Sequence, residues 1–330
     1  MHQIVQDFDN TFGLKIHGKL HYFLGIAVHH TPYGLLLNQS TYAQDLLVKY
    51  GMQNFNPFST PMILGSKLAF EDNPLLDQPS IYRSLIGALQ YLTLTRPDLS
   101  FVVNKLSQFL KAPTVNHWQA CKRILRYVQG TIHHGLTFTK SDTLQLEGYA
   151  DADWAGNVSD RKSTTGYCIF LGSKLVQWCS KKQSVVALSS TKAKYRALAQ
   201  ASTEIAWLQN LFQELCISLP RILVLWCDNT SAGALASNPV FHACTKHIKI
   251  DVRFVHEMVY SKRLVVQYVA TAFQVADILT KPLSGSHFCA LRDQLHLMSS
   301  ASSSSFLLEG QSGLRQAANF ELKDDQEDNK

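Results

Sequence analysis

The chain has 330 residues, 46% of them apolar, and its 31 Lys and Arg against 25 Asp and Glu give a formal charge of +6. It can bury one large core or two modest ones, so we expect two domains, and the basic excess favours a polyanionic partner without requiring one. A membrane-spanning apolar run, a signal sequence, zinc-ligand cysteine pairs and a secretory disulfide framework are all missing from the sequence. We expect a soluble, intracellular protein of the cytoplasm or nucleus, with no membrane partner.

Residues 1 to about 62 mix short strand-like and helical patterns. Residues 20–28 form an apolar run that ends at a Pro-Tyr-Gly turn, and residues 41–50 carry apolar side chains at helical spacing. Residues 56–73 contain two prolines and little periodicity, which is typical of a linker. These patterns predict half of a small domain followed by a connecting segment.

The pattern is helical from residue 81 to about residue 130, with breaks at Pro97 and Pro113. Its apolar residues recur at spacings suited to one buried face, among them Leu85, Leu89, Leu92, Val102, Leu106, Phe109, Trp118, Ile124 and Tyr127. Three helices packed on each other explain this pattern.

A mixed α/β sheet domain is predicted from the region after Gly135, where the patterns read as strands first and then alternate between helix and strand. The expected strands cover residues 144–151, 166–171, 175–179, 184–188, 222–227 and 264–269. The domain should end near Leu291.

Three helices are expected between and after these strands. A long helix, with Ser190 or Thr191 as its cap, should run to about Cys216. Shorter helices should follow Asp228 and cover residues 251–260. From residue 299 the chain turns to serine repeats and a charged end, which predict a disordered tail.

Four carboxylates fall where one edge of such a sheet could gather them. Asp151 ends the first strand and Asp153 follows it, Asp228 ends a later strand, and Asp277 starts the last helix. Clustered carboxylates are tolerated chiefly when a hard cation such as Mg²⁺ neutralises them, and two such ions can hold the attacking and leaving oxygens of a phosphodiester. From spacing alone, ordinary strand-end and N-cap aspartates are the better interpretation.

Sequence motifs change the balance between these two interpretations in favour of a metal site. Six stretches resemble, in order, the signatures of copia-type retrotransposon ribonuclease H: residues 148–156, 161–167, 189–191, 227–229, 245–248 and 276–283. Five earlier stretches resemble the segment between the polymerase palm and ribonuclease H of the same Pol polyproteins: residues 22–26, 39–42, 60–62, 82–87 and 96–98. The resemblance covers nearly all of the chain before about Leu295.

The resemblance implies a fold and a division of the chain. The fold is α/β, a ribonuclease H-like mixed five-stranded sheet with flanking helices, preceded by a mainly helical α+β reverse transcriptase thumb and connection region. The division is a palm-end or thumb remnant over residues 1–62, a helical connection over 63–140, a ribonuclease H-like domain over 141–295 and a low-complexity disordered tail over 296–330. The paired palm aspartates that the family uses for polymerisation are absent, so we expect no polymerase site.

By resemblance, Asp151, Asp228 and Asp277 match three of the family's four catalytic, metal-binding carboxylates, and Mg²⁺ or Mn²⁺ is the implied cofactor. The fourth is a glutamate in a Ser-Ser-Thr-Glu-Ala-Glu-Tyr pattern, which here has Lys192 and Lys194 in the two glutamate positions. We assign the catalytic position to Lys194, because Tyr195 should take the apolar position that follows it. Metal binding should then be weak.

Replacing a carboxylate by an ammonium changes the charge of the site by two units. The alternative is that Lys194 turns its flexible side chain out to solvent while one ion still binds between Asp151 and Asp228. Even then the second ion would lack a ligand.

Two groups of basic residues are candidates for contacts with a nucleic-acid backbone. Arg161, Lys162, Lys181 and Lys182 flank the proposed site, whereas Lys122, Arg123 and Arg126 follow Trp118. A solvated helix face explains the second group equally well. The partner implied by the resemblance is an RNA–DNA hybrid, recognised by duplex shape and 2′-hydroxyls.

Four hypotheses about function remain open. The chain is a ribonuclease H-like Pol fragment that hydrolyses the RNA of hybrids weakly or not at all, or a working endonuclease with a relocated ligand. It is otherwise a catalytically silent nucleic-acid binding module, or a pseudogene product without a role.

Overall fold

A computed structural model describes residues 2–13, 18–32, 34–66, 68, 74–140, 144–219, 222–237 and 249–299. The predicted motif at residues 245–248 and nearly all of the predicted tail lie outside these residues. The first part of the chain forms α1 (His2–Phe12), β1 (Tyr22–Phe23), β2 (Ile26–Thr31), β3 (Gly34–Asn38), α2 (Ser40–Lys49), α3 (Pro79–Leu92), α4 (Ser100–Ser107), α5 (Val115–Gly130) and β4 (His134–Thr139). A single 3₁₀ turn, Pro97–Leu99, leads into α4.

The predicted strand at residues 20–28 is in fact two strands, β1 and β2. They pair antiparallel around a turn in which Leu24 and Gly25 both have positive φ, 46° and 72°. Apolar character continues through this turn, so hydrophobicity alone could not reveal it. A β-carbon on Gly25 would lie 2.6 Å from the Tyr91 hydroxyl, which favours glycine there.

These strands belong to a five-stranded antiparallel sheet in the order β1-β2-β3-β4-β10. Its last strand, β10 (Leu297–Ser299), pairs with β4 and lies inside the segment predicted as the disordered tail. Residues 297–299 of the predicted tail are therefore ordered, because pairing with a distant strand orders residues whose own sequence has little strand character.

The three predicted helices between residues 81 and 130 are confirmed as α3, α4 and α5. Their apolar faces share one core, since Leu85, Leu89, Leu106 and Ile124 are fully buried. The described part of the predicted linker, residues 56–66 and 68, contains neither helix nor strand. It is nevertheless packed against this core rather than free, because Met62 and Leu68 are buried in it.

The second part of the chain forms β5 (Leu146–Asp153), β6 (Thr164–Leu171), β7 (Lys174–Lys182), α6 (Ser190–Glu214), β8 (Leu223–Cys227), α7 (Thr230–Ser237), α8 (Lys249–Tyr260), β9 (Leu264–Tyr268) and α9 (Gly285–Gln294). The strand order is β7-β6-β5-β8-β9. The β5–β6 and β6–β7 pairs are antiparallel, and the β5–β8 and β8–β9 pairs are parallel. The expected mixed five-stranded sheet with flanking helices is confirmed.

Three local expectations were wrong. Residues 184–188 form no strand; they connect β7 to α6, and their alternating pattern belongs to a loop with exposed valines. The side chain that caps α6 is that of Ser189, which accepts a hydrogen bond from the Lys192 N–H. Asp277 lies in a 3₁₀ turn, Val275–Leu279, and not in α9, which begins eight positions later at Gly285.

The second sheet is covered on both faces. Alternate residues of β6 point to opposite sides: Tyr167 and Ile169 join a core with α6 and α8, whereas Cys168 and Phe170 join the core of α3, α4 and α5. The core of α3, α4 and α5 thus crosses the predicted boundary at residue 140. The division into domains stays a prediction.

Among the residues with a described structure, no helix has the length and apolar character needed to cross a lipid bilayer.

Candidate functional site

Strand pairing brings two of the predicted carboxylates to one edge of the second sheet. In the parallel pair of β5 and β8, Tyr149 lies opposite Trp226, so Asp151 and Asp228, each two residues further along, reach the same edge. Asp151 is fully buried, and only 4% of the Asp228 side chain is exposed. The sequence therefore predicted correctly that these two carboxylates are neighbours.

Lys194 lies between the two carboxylates. The first turns of α6 carry its side chain to the sheet edge, where the ammonium Nζ is 2.8 Å from Asp151 Oδ1 and 2.5 Å from Asp228 Oδ1. Only 14% of this side chain is exposed. Lys192 is on another side of the helix and contributes its backbone N–H to the Ser189 cap. The assignment of Lys194 rather than Lys192 to the site agrees with this geometry.

A second lysine pairs with the third carboxylate. Lys281 Nζ is 2.9 Å from Asp277 Oδ1, one helical turn earlier, and 3.9 Å from Asp151 Oδ2. Thr280, fully buried, donates a 2.7 Å hydrogen bond to Asp151 Oδ2. Gln274 fixes the start of this segment, because its Nε2 donates to the Ala150 carbonyl of β5 at 3.2 Å.

The pKa values follow from this arrangement. Burial alone would raise the pKa of Asp151, but the Lys194 and Lys281 ammonium groups and the Thr280 hydroxyl hold it below its ordinary value. Burial alone would lower the pKa of Lys194, but Asp151 and Asp228 raise it. Burial and the neighbouring Asp151 charge raise the pKa of Asp277 to about 7, even though Lys281 opposes the shift. Asp277 is the carboxylate whose charge is least well compensated.

Two other acidic residues have separate environments. Asp153 is half-buried two residues beyond Asp151 on β5, and burial raises its pKa while Lys281 and Lys105 oppose that shift. Glu204, further along α6, accepts hydrogen bonds from Tyr167 and Gln177, both at 3.3 Å. Glu204 is therefore held by these two side chains and not by the residues of the cluster.

The donor set does not fit a pair of divalent ions as these side chains stand. Oxygens of Asp151 and Asp228 face the Lys194 ammonium, and an oxygen of Asp277 faces Lys281. Within the described part of the chain, no group of three or more His, Cys, Asp or Glu side chains is arranged to hold a metal ion. Two ammonium groups of the chain itself compensate part of the negative charge of the cluster.

The basic residues predicted beside the site do lie near it. Arg161 and Lys181 are exposed. Lys182 Nζ is 2.8 Å from Asp160 Oδ2, and Lys162 Nζ is 3.9 Å from the same oxygen. This group presents a net positive surface at the end of β6 and β7.

The second predicted basic group has partners within the fold. Arg123 and Arg126 lie over the Phe58 ring, 4.2 Å and 3.7 Å from its centroid. Arg126 donates to the Asn56 carbonyl at 2.6 Å, and Lys122 lies 5.8 Å from the Trp118 ring centroid. The contacts of the two arginines hold residues 56–60 against α5. The positions of these basic side chains are therefore explained without a nucleic acid.

Sequence reasoning missed several residues that shape the site. Thr280 and Lys281 stood inside the run 276–283, but the resemblance assigned a role only to Asp277. Lys105 of α4 and Gln108, the residue that follows α4, reach the loop after β5, and no sequence signal linked residues so far apart.

Comparisons with known proteins place the chain among retrotransposon proteins. It is 47% identical over 288 residues to the retrovirus-related Pol polyprotein from transposon RE1 of Arabidopsis thaliana, covering 87% of this chain and 20% of that protein. It is 30% identical to the putative transposon Ty5-1 protein of Saccharomyces cerevisiae, covering 62% of this chain and 67% of that protein. The chain spans about a fifth of the length of the Pol polyproteins from RE1 and RE2.

Among solved structures, LC11-RNase H1 from compost matches 42% of this chain and 94% of its own, at 15% identity and a TM-score of 0.33. No protein-family model matches the sequence.

Proposed function

Since the chain belongs to the copia-type retrotransposon Pol polyprotein family, we propose that its second sheet and flanking helices form a ribonuclease H-like module with little or no hydrolytic activity. The partner of this module is an RNA–DNA hybrid. One observation carries the proposal: the Lys194 ammonium lies 2.8 Å and 2.5 Å from the carboxylates of Asp151 and Asp228.

Electrostatics supports the loss of metal binding. Two unit charges 4 Å apart interact by about 4 kcal/mol near a protein surface, and a divalent ion beside an ammonium is repelled about twice as strongly. Displacing the Lys194 ammonium would leave the Asp151 carboxylate, which is fully buried, with less compensation for its charge. Both effects oppose a divalent ion between Asp151 and Asp228.

A second candidate function is a silent binding module for nucleic acid. The observation that favours it is the basic group of Arg161, Lys162, Lys181 and Lys182 beside the cluster. Phosphate contacts of this kind need neither a metal nor hydrolysis. Binding and cleavage are therefore separate properties that need separate measurements.

Cleavage of a labelled RNA–DNA hybrid with Mg²⁺ or Mn²⁺ tests the first proposal. The unsubstituted chain should show little or no cleavage, and Lys194→Glu should recover some, because it supplies the missing carboxylate beside Asp151, Asp228 and Asp277. Lys192→Glu is the matched control and should recover none. Residues 192 and 194 lie about 200° apart around a helix, so only one can face the site.

The variant that combines Lys194→Glu with Asp228→Asn separates a rebuilt site from a contaminating nuclease. It should lose the recovered cleavage and keep hybrid binding. If the unsubstituted chain cleaves as fast as Lys194→Glu, and Asp228→Asn stops both, then Lys194 does not disable hydrolysis.

Hybrid binding at two salt concentrations tests the second candidate. Binding through phosphates should weaken steeply as salt rises. No measurable binding at low salt would remove both proposed functions.

A further inference from the structure

We infer that Lys105 of α4 and Gln108, the residue that follows α4, position the basic loop at residues 154–162. Residues outside the α/β sheet then determine how this module holds a hybrid. The inference rests on the proposed function, because the partner is the same. It assigns to α4 a role in binding that its sequence does not indicate.

The basic loop has a backbone that needs support. Ala155 and Arg161 both have φ of +55°, a region that side-chain-bearing residues avoid. The loop folds back on itself, since the Asn157 N–H donates to the Lys162 carbonyl and the Arg161 N–H donates to the Asn157 carbonyl. Strained conformations of this kind persist only where surrounding contacts hold them.

Gln108 supplies such contacts from the end of α4. Its Oε1 accepts hydrogen bonds from Asn157 Nδ2 at 2.8 Å and from Lys182 Nζ at 3.1 Å. Asn157 is only 6% exposed, so its amide depends on a protein partner. One oxygen therefore joins the loop that carries Arg161 and Lys162 to the strand that carries Lys182.

Lys105 adds a second contact one turn earlier on α4. Its Nζ donates to the Gly156 carbonyl at 3.4 Å, and it is only 9% exposed. A β-carbon on Gly156 would lie 1.8 Å from Asp153 Oδ2, so the loop backbone rests directly on that carboxylate. Lys105 and Gln108 thus hold the loop against Asp153.

The charges of the surrounding side chains explain what a neutral residue at position 108 provides. The network contains four cations, Arg161, Lys162, Lys182 and Lys105, but only two carboxylates, Asp153 and Asp160. Because Gln108 is neutral, it fixes Lys182 without adding a negative charge where phosphates must approach. The net result is a rigid, positively charged rim beside the cluster.

Gln108→Ala tests the inference, with Gln90→Ala on the exposed side of α3 as the matched control. Hydrogen exchange of the amides of residues 155–162 should become faster in Gln108→Ala and stay unchanged in Gln90→Ala. Affinity for a hybrid at low salt should fall about threefold to tenfold in Gln108→Ala only, with a shallower salt dependence.

A double variant, Arg161→Ala with Lys162→Ala, tells positioning from general destabilisation. In that background Gln108→Ala should cause almost no further loss of affinity, since the side chains that it positions are gone. Unchanged exchange in residues 155–162, or a loss of affinity that persists in full in this background, overturns the inference. A chain that binds no hybrid at all refutes the proposed function together with the inference, whereas faster exchange with unchanged affinity refutes the inference alone.

Discussion

Within the residues that the structure describes, two clusters of buried charge are built on opposite principles. In the helical region, Arg96 donates to both oxygens of Asp98, at 3.0 Å and 2.7 Å, and to the Thr131 carbonyl at 2.8 Å. The Tyr127 hydroxyl donates to Asp98 at 2.6 Å. One cation faces one anion, and the hydrogen-bonding groups around them are matched.

The cluster at the edge of the second sheet is not balanced in this way. Three carboxylates, Asp151, Asp228 and Asp277, face two ammonium groups, Lys194 and Lys281. When all are ionised, one negative charge remains, and the raised pKa of Asp277 follows from burial and from this excess. Burial of charge is therefore not itself a mark of a functional site; incomplete compensation of the charge is the more informative feature.

The largest expected effect concerns the balanced cluster. Arg96→Met should lower the free energy of unfolding by about 3 to 5 kcal/mol, because Asp98 would stay buried without its cation. Chemical denaturation measures this, with the exposed Arg253→Met as the control, which should change stability by less than about 0.5 kcal/mol. Adding Asp98→Leu should recover part of the loss, since no buried charge then remains. A loss below about 1 kcal/mol in Arg96→Met would show that the pair is not what holds this region.

The second prediction concerns Mg²⁺ binding and stability at the cluster of Asp151, Asp228 and Asp277. Lys194→Glu should be less stable than the unsubstituted chain without divalent ions, because four carboxylates then crowd one edge. Mg²⁺ should raise its unfolding temperature, by a stabilisation of about 2.7 kcal/mol at a hundredfold excess over its dissociation constant. The unsubstituted chain and Lys192→Glu should show no such rise. An equal response to Mg²⁺ in all three would mean that Lys194 does not block the site.

The pH dependence should distinguish Asp277 from an ordinary carboxylate. Its pKa in the folded chain is about 7 against an ordinary 3.8, so its favourable contribution is complete below about pH 4 and is lost as pH rises through about 7. Asp277→Asn should therefore gain stability relative to the unsubstituted chain between pH 5 and pH 8, on the order of 2 kcal/mol. Urea denaturation at several pH values measures the difference. A constant difference across this range would contradict the raised pKa.

The smallest change in the free energy of unfolding is expected when a single side-chain hydroxyl is removed. Thr280→Val should lower the free energy of unfolding by about 1.5 kcal/mol, since a buried hydrogen bond to the Asp151 carboxylate is removed. Thr271→Val is the matched control, because Thr271 contacts Asp228 only by an exposed 3.4 Å hydrogen bond; its effect should stay within about 0.5 kcal/mol. Equal losses in both variants would argue that burial of the hydroxyl is unimportant here.

The local elements and the residue types of the cluster could be predicted from the sequence. Periodicity located α3, α4, α5 and α6, because one apolar face recurs at helical spacing wherever a helix packs on a core. Motif resemblance selected Asp151, Asp228 and Asp277 and predicted that Lys194 stands in the position of the family's glutamate. These are properties of short stretches, which a sequence carries directly.

Tertiary structure alone decided how the distant parts combine. The pairing of β10 with β4, the covering of the second sheet by the helical region and the contact of Gln108 with Asn157 all join residues that are far apart in the chain; Gln108 and Asn157 are 49 positions apart. No local pattern encodes such contacts, since they depend on how whole elements pack. The position of the Lys194 ammonium is decided in the same way. The sequence supplied the lysine, but the pairing of β5 with β8 and the docking of α6 set its distances from Asp151 and Asp228.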